Sequence, residues 1–231
     1  MESNYFSIKY SFKFSDSRHI EFEVNLDRKT LIAVSPQESK ECSWTRLDFN
    51  KCEHCPLDSK KHRNCPIAYN ISGLANYFSE KLSTEEIDVT VITEDREYFK
   101  KDTIQHGLRS ILGIYTATSG CPHMNILKPM ARFHLPFATV EETMYRYVTS
   151  YLLGEYFQYL KGAAPDFELD GLIRKSESVD MVSYGISKRI EEITVGDANN
   201  NAIVILNAIG LMLKIEIDSK LDSLKYLFNE K

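Results

Sequence analysis

Apolar and polar residues alternate from Tyr5 to Phe14, with Phe6, Ile8, Tyr10, Phe12 and Phe14 on one face and Tyr5, Ser7, Lys9 and Ser11 on the other. A period of two predicts a strand with one buried face. Ser15-Asp16-Ser17 supplies a turn, after which Ile20, Phe22, Val24 and Leu26 alternate again. A short third strand is expected at Leu31–Val34, following Asp27-Arg28-Lys29, so the start of the chain reads as an antiparallel meander. Polar residues then dominate from Ser35 to Asn50, which predicts a crossing over the surface. The β-branched run from Ile87 to Thr93 predicts a fourth strand that rejoins the sheet.

The period changes to helical between these strands and after them. Pro66 suits a first helical turn, where its missing N–H leaves no bond unmade, and Ile67, Ile71, Leu74, Tyr77 and Phe78 follow at helical spacing. A second helix is expected from Thr103 to Ala117, ending at Thr118-Ser119-Gly120. The stretch from Pro122 to Ala138 reads as irregular. Thr139 with Glu142 forms a capping-box signature for a helix to about Lys161, stopped by Gly162 and Pro165. Two more helices are expected, Phe167–Thr194 with a break near Ser176-Glu177-Ser178, and Ala198–Phe228. Within the last, Ala202–Leu213 is apolar except for Asn207 and Gly210 and predicts a helix buried on most sides. The stripe Ile217, Leu221, Leu224, Phe228 closes the protein's own core or pairs two copies as a homodimer.

The pattern as a whole predicts an α+β fold: an N-terminal antiparallel sheet with a Cys-rich loop over residues 1–100, and a mostly helical half over 101–231 packed on it as one unit. At 231 residues and 43% hydrophobic, the chain has enough apolar material for a core without a metal. A net charge of -5 argues against a general attraction to nucleic acid or anionic membrane. The run Lys60-Lys61-His62-Arg63 reads as a solvated loop. Met1-Glu2-Ser3-Asn4-Tyr5 lacks the pattern of a signal peptide and no apolar run approaches the ~20 residues of a membrane span, so a cytoplasmic location is expected. In that reducing setting five cysteines point to metal or free thiols rather than disulfides.

The candidate chemistry is in those cysteines. Cys52-Glu53-His54-Cys55 is a Cys-x-x-Cys knuckle, Cys65 follows after nine intervening residues, and two residues compete to complete a tetrahedral site. His62 would make a compact local site. Cys121 would make an all-cysteine site, and it is favoured because Cys55-Pro56, Cys65-Pro66 and Cys121-Pro122 repeat one local chemistry in which proline sets the chain direction after the sulfur. Zinc fits four thiolates, and an iron–sulfur cluster or a redox dithiol uses the same ligands. Polar residues crowd the 52–65 loop, against a reading of these cysteines as core filling. Cys42 stands apart as a free thiol.

A second concentration of reactive types runs from Ser119 to Phe137. Cys121 with His123 or His134 is a candidate nucleophile and base, Lys128 and Arg132 are a candidate anion clamp, and His123, Arg132 and His134 are candidate lining residues of a ligand pocket. The bland alternative is that Met124, Met130, Phe133 and Phe137 anchor a long connection. His106 and His19 read as surface or capping residues. No Gly-rich phosphate loop, His-Glu-x-x-His, Gly-x-Ser-x-Gly or dinucleotide fingerprint occurs.

Cys-x-x-Cys-Pro, Asn-Cys-Pro-Ile-Ala, Ser-Gly-Cys-Pro-His-Met and Lys-Pro-Met-Ala-Arg-Phe-His-Leu-Pro-Phe together resemble a bacterial family of uncharacterised small proteins across residues 45–160. The resemblance implies a bacterial cytoplasmic setting and no activity. The expected function is a non-enzymatic, zinc-stabilised protein presenting a surface to a protein or small-molecule ligand. The alternatives are a thiol- or metal-dependent enzyme using the Cys121–His134 loop, and an iron–sulfur or redox-sensing protein.

Overall fold

Strands β1 (Tyr5–Phe14) and β2 (His19–Asp27) pair antiparallel, Tyr5 opposite Asp27 and Lys13 opposite His19, as their alternation requires. This computed structural model describes residues 4–34, 36 and 38–228; Met1–Ser3, read above for a leader, and Ser35 and Gln37 of the surface crossing lie outside them. β3 (Glu86–Ile92) pairs with the other side of β1, and β4 (Glu97–Thr103) closes the sheet in the order β2-β1-β3-β4, all antiparallel. Phe6, Ile8, Tyr10, Phe12 and Phe14 of central β1 are each almost wholly buried, as are Phe22, Val24 and Leu26 and Ile87, Val89 and Val91 on its neighbours. The sheet therefore has one buried face, and the helices lie on it.

Two expectations for the sheet are corrected. Leu31–Val34 is not a strand: only Ala33 bridges Leu26, and the Ala33 N–H instead donates to the Thr118 carbonyl at 2.8 Å. The fourth member of the sheet order beyond β3 is β4, which no alternation announced. Its sequence Glu-Tyr-Phe-Lys-Lys-Asp-Thr is mostly exposed, the charged composition of an edge strand that discourages pairing with other chains. β4 also runs across the expected junction at residue 100.

Helix α1 (Pro66–Tyr77) starts on proline as expected, and Phe78 after it packs edge-on against Phe12 with ring centroids 5.5 Å apart. Helix α2 (Ile104–Ala117) crosses the sheet at Gly107, where a Cβ would stand 2.9 Å from Phe12 and 3.0 Å from Val89. Only glycine admits so close an approach. Segment 122–138, expected to be irregular, contains a 3-10 stretch over Pro122–Leu127 and the short helix α3 (Lys128–Arg132), both opened by proline.

Helix α4 (Val140–Tyr159) carries the predicted capping box: Thr139 accepts from the Glu142 N–H at 3.1 Å and the Thr139 N–H donates back to the Glu142 carboxylate at 2.8 Å. α5 (Asp170–Glu191) is continuous, so the expected break at Ser176–Ser178 is absent; Ser176 and Ser178 bond back to carbonyls one turn earlier and stay helical. α6 (Ala198–Asp218) ends at Lys220 and Leu221, both at positive φ, before a 3-10 stretch over Asp222–Phe228.

α6 packs on α2 and α5 by one face only, which corrects the expectation of burial on most sides. Ala202, Ile203, Leu213 and Ile217 are buried, whereas Val204, Leu211, Met212 and Ile215 face outward. By length and composition it is also the one helix among the described residues long and apolar enough to cross a bilayer. Of the terminal stripe, Ile217 and Leu224 are buried and Leu221 packs against them, in a cluster with Met144, Tyr147 and Leu172 of α4 and α5, while Phe228 is exposed. The larger core cluster joins the sheet to α1, α2, α5 and α6.

Candidate functional site

Trp44–Leu47 and Arg63–Cys65 form the stem of the cysteine loop. Leu47 N–H donates to Arg63 O at 3.0 Å, Cys65 N–H donates to Thr45 O at 2.8 Å, and Arg46 bridges Asn64. At the tip, Cys55 N–H donates to Cys52 O at 3.0 Å and makes the tight turn of the Cys-x-x-Cys pair. Cys65 and Cys121 then repeat one local geometry in two distant segments. Their backbones have φ/ψ of -65/122 and -64/125, and each is followed by proline at the first position of a helix. In both, backbone N–H groups turn toward the sulfur, from Ile67 and Ala68 onto Cys65 and from His123 and Met124 onto Cys121. The Cys-Pro pattern thus prescribes a small N–H cradle, which favours negative charge on the thiol.

Tertiary packing brings the cysteines within electrostatic range of one another. Cys52 is acted on by Cys65 and Cys55, Cys65 by Cys55, and Cys121 by Cys65 and Cys55. Cys65 and Cys121 are buried, and all five cysteines are free thiols. Burial raises the thiols of Cys52 and Cys65 and pushes Cys121 up to about 11, so each is protonated at neutral pH as it stands. Among the described residues no three His, Cys, Asp or Glu side chains are drawn to ligating spacing. His62, the competing fourth ligand, is exposed, and Lys60, Lys61 and Arg63 beside it are exposed too, with Arg63 paired to Glu41.

The loop seats on α5. A Cβ at Gly185 would stand 2.6 Å from the Cys52 sulfur, so glycine makes room for that thiol. One turn on, Arg189 is 1% exposed, and its guanidinium donates to the carbonyls of Trp44 and Arg46 at 2.7 Å and of Leu47 at 3.2 Å. It forms no ion pair among the described residues, and its charge opposes the rise of the Cys52 and Cys65 thiols. Its Nε–H has no partner, and the carboxylate that feels its charge, Asp48, is exposed and paired to Arg46; a buried cation so placed is costly and favours a further anion nearby. His54 and His123 stack at 4.2 Å between ring centroids, and their Nε2 atoms donate to the carbonyls of Ser178 and His54, each at 3.1 Å. That tautomer leaves Nδ1 of His54 as a buried lone-pair nitrogen with no partner.

Arg189, Gly185 and the His54–His123 pair were not expected to take part. Nothing local in α5 marks an arginine as buried; only the absence of an acidic residue three or four positions before it (Gly185, Ile186) hints that it lacks a helical partner.

The other expected pocket residues separate. His134 lines a cavity of about 210 Å³ between α2, α4, α5, α6 and the 124–138 segment, whereas His123 belongs to the cysteine loop and Arg132 lies over the Phe6 ring at 4.3 Å. The cations of the cavity are instead Arg109 and Arg146. His134 Nε2 and the Tyr10 hydroxyl form a short hydrogen bond, Tyr10 also bonds Ser110 at 2.8 Å, and desolvation lowers the imidazole to about 3. No hydrogen bond joins Cys121 to an imidazole among the described residues, so a nucleophile–base pair is not assembled there. His106 bonds Asp102 at 2.6 Å and His19 bonds Ser11 at 2.6 Å, both at the surface as expected.

The chain belongs to the family described as a domain of unknown function, DUF6901, whose model matches residues 8–229. Comparison with curated proteins and with solved structures finds no match.

Proposed function

We propose that Cys52, Cys55, Cys65 and Cys121 bind one thiophilic ion, zinc, which fastens the 52–65 loop to the start of the 122–127 turn and to α5 in a cytoplasmic binding protein. The observation that carries this reading is the buried Arg189 cation, which forms no ion pair among the described residues and acts on the thiols of Cys52 and Cys65, two of a set linked through Cys55 and Cys65. Four thiolates on a divalent ion carry two net negative charges, and Arg189 compensates part of that. The paired N–H cradles at Cys65 and Cys121 supply the hydrogen bonds that thiolate ligands accept. The unpartnered Nδ1 of His54 adds a nitrogen donor next to Cys55.

The donor set therefore fits a soft ion, and when bound the ion would deprotonate the thiols and hold the loop. The chain's own residues orient it: Gly185 leaves space for Cys52, and Arg189 fixes the stem carbonyls. The high thiol of Cys121 speaks against its use as a free nucleophile or a fast redox thiol, because the thiolate is the reactive form.

Elemental analysis and a visible spectrum of freshly purified full-length protein test the reading. Colourless protein with one zinc per chain, lost in Cys52→Ser and in Cys121→Ser, is the expected result. Brown protein carrying iron would replace zinc with a cluster. Metal-free protein whose four thiols react freely with a thiol reagent would end the proposal.

A further inference from the structure

Arg109 on α2 and Arg146 on α4 both bond backbone carbonyls of the 130–138 segment and line one cavity. Arg109 donates one terminal N–H to the Ala138 carbonyl at 3.3 Å, and one terminal nitrogen of Arg146 donates to the carbonyls of Met130 at 2.7 Å and Phe133 at 2.6 Å. A guanidinium has five N–H donors, so most of the set on each side chain is unassigned. Neither arginine forms an ion pair among the described residues. Asp102, the acid that acts on Arg109, is already engaged by Lys100 and His106, and Glu142 acts on Arg146 only from a distance. Both guanidiniums are half-buried and line the same cavity, whose remaining walls are largely aliphatic: Ile114, Met124, Leu127, Leu206, Ile209 and Leu213 among them.

We propose that this cavity binds a compact apolar carboxylic acid, its carboxylate received by Arg109 and Arg146 and its hydrocarbon or aromatic body lying against α2 and α6. Charge complementarity selects the anion, since two desolvated cations without acidic partners gain most from a carboxylate, which accepts guanidinium hydrogen bonds in a fork. Size sets the class. The cavity of about 210 Å³ lies below the ~300 Å³ lower end of drug-sized ligand pockets. A single ring or short branched chain fills it, and a long acyl chain does not.

The cavity is also polarised. Asp180 lines it, but the charges acting on Asp180 are Lys214 and Glu177 rather than the two arginines, which puts this carboxylate at the other end, against Gly210. A second carboxylate on the ligand is therefore disfavoured there. His134, neutral and bonded to Tyr10, adds no charge to compete for the anion. The inference is independent of the cysteine site.

Isothermal titration calorimetry of the full chain with 3-phenylpropanoate and with its amide, 3-phenylpropanamide, decides it. The acid should bind at least tenfold more tightly than the amide, because the two probes share a body and differ in charge. In Arg109→Gln and Arg146→Gln the acid should weaken to the level of the amide, while the amide's own affinity, which reports an intact cavity, stays the same. Equal binding of both probes to the unaltered protein, no binding of either at millimolar concentration, or a preference that survives both substitutions would overturn the proposal. The comparison of acid with amide on the unaltered chain is decisive even if a variant does not fold.

Discussion

Helix α5 serves two centres from two faces, and the centres handle buried charge in opposite ways. On one stripe, Ser178, Gly185 and Arg189, spaced by seven and four, meet the cysteine loop. On the other, Ser176, Asp180 and Ser183, spaced by four and three, line the cavity. At the first, one guanidinium is sealed in: its two terminal nitrogens donate to three carbonyls, its Nε–H has no partner, and the exposed Asp48 carboxylate feels its charge from outside while the thiols of Cys52 and Cys65 feel it within. At the second, two guanidiniums are each only partly bonded and face open space. The contrast teaches that a cation sealed from solvent and tied to the backbone holds the fold, while a half-buried one beside a void holds a place for something else.

The comparison breaks first at Arg189. Replacing it with methionine removes three charge-assisted hydrogen bonds and strands the carbonyls of Trp44, Arg46 and Leu47, and the expected loss is about 3 kcal/mol or more in urea denaturation. Arg109→Met at the cavity should change stability by under about 1 kcal/mol, since Arg109 donates to a carbonyl on a half-exposed loop at the long distance of 3.3 Å. Comparable losses at the two positions would erase the distinction.

His134 sharpens the comparison through pH. Its folded-state value, about 3, lies below the ordinary 6.5, so the unfolded chain binds the extra proton first as pH falls. The contribution is fully present above pH 6.5 and is lost as pH drops toward 3, at about 1.4 kcal/mol per pH unit inside that window. The slope of stability against pH should therefore be shallower by that amount in His134→Gln, measured by urea midpoints between pH 4 and 6; identical slopes would show that the imidazole titrates normally.

Gly185→Ala places a Cβ 2.6 Å from the Cys52 sulfur and should cost about 1–3 kcal/mol, because the thiol must move; on the proposed zinc site it should also lower the metal bound per chain. Retained metal and stability would mean that Cys52 is free to shift. A modest effect is expected at Thr139→Ala, which deletes the cap of the helix bearing Arg146. A loss of about 1 kcal/mol in thermal or chemical unfolding is expected, with the acid-over-amide preference unchanged.

Much of the architecture was legible before any coordinates. Alternation in β1, β2 and β3 is a local property, because one sheet face is buried and a strand's side chains alternate sides. Pro66 and the Thr139–Glu142 box marked helix starts by the same local logic. β4 was not legible: of its apolar residues Tyr98 packs against the core while Phe99 is exposed, and charged residues fill most other positions, so there is no apolar alternation to read. The single bridge at Ala33 likewise depended on where the Thr118 carbonyl came to rest.

The candidate sites divide along the same line. The composition of the thiol set, its Cys-Pro repeats and the exposure of the basic run follow from neighbours in the chain, whose covalent geometry prescribes each turn. Which cation lies beside the sulfurs, and which arginines share a void, depended on helices meeting across gaps of tens of residues. A side chain's charge is written in the sequence, but its solvation and its partners are set by packing, and those decide what the charge can do.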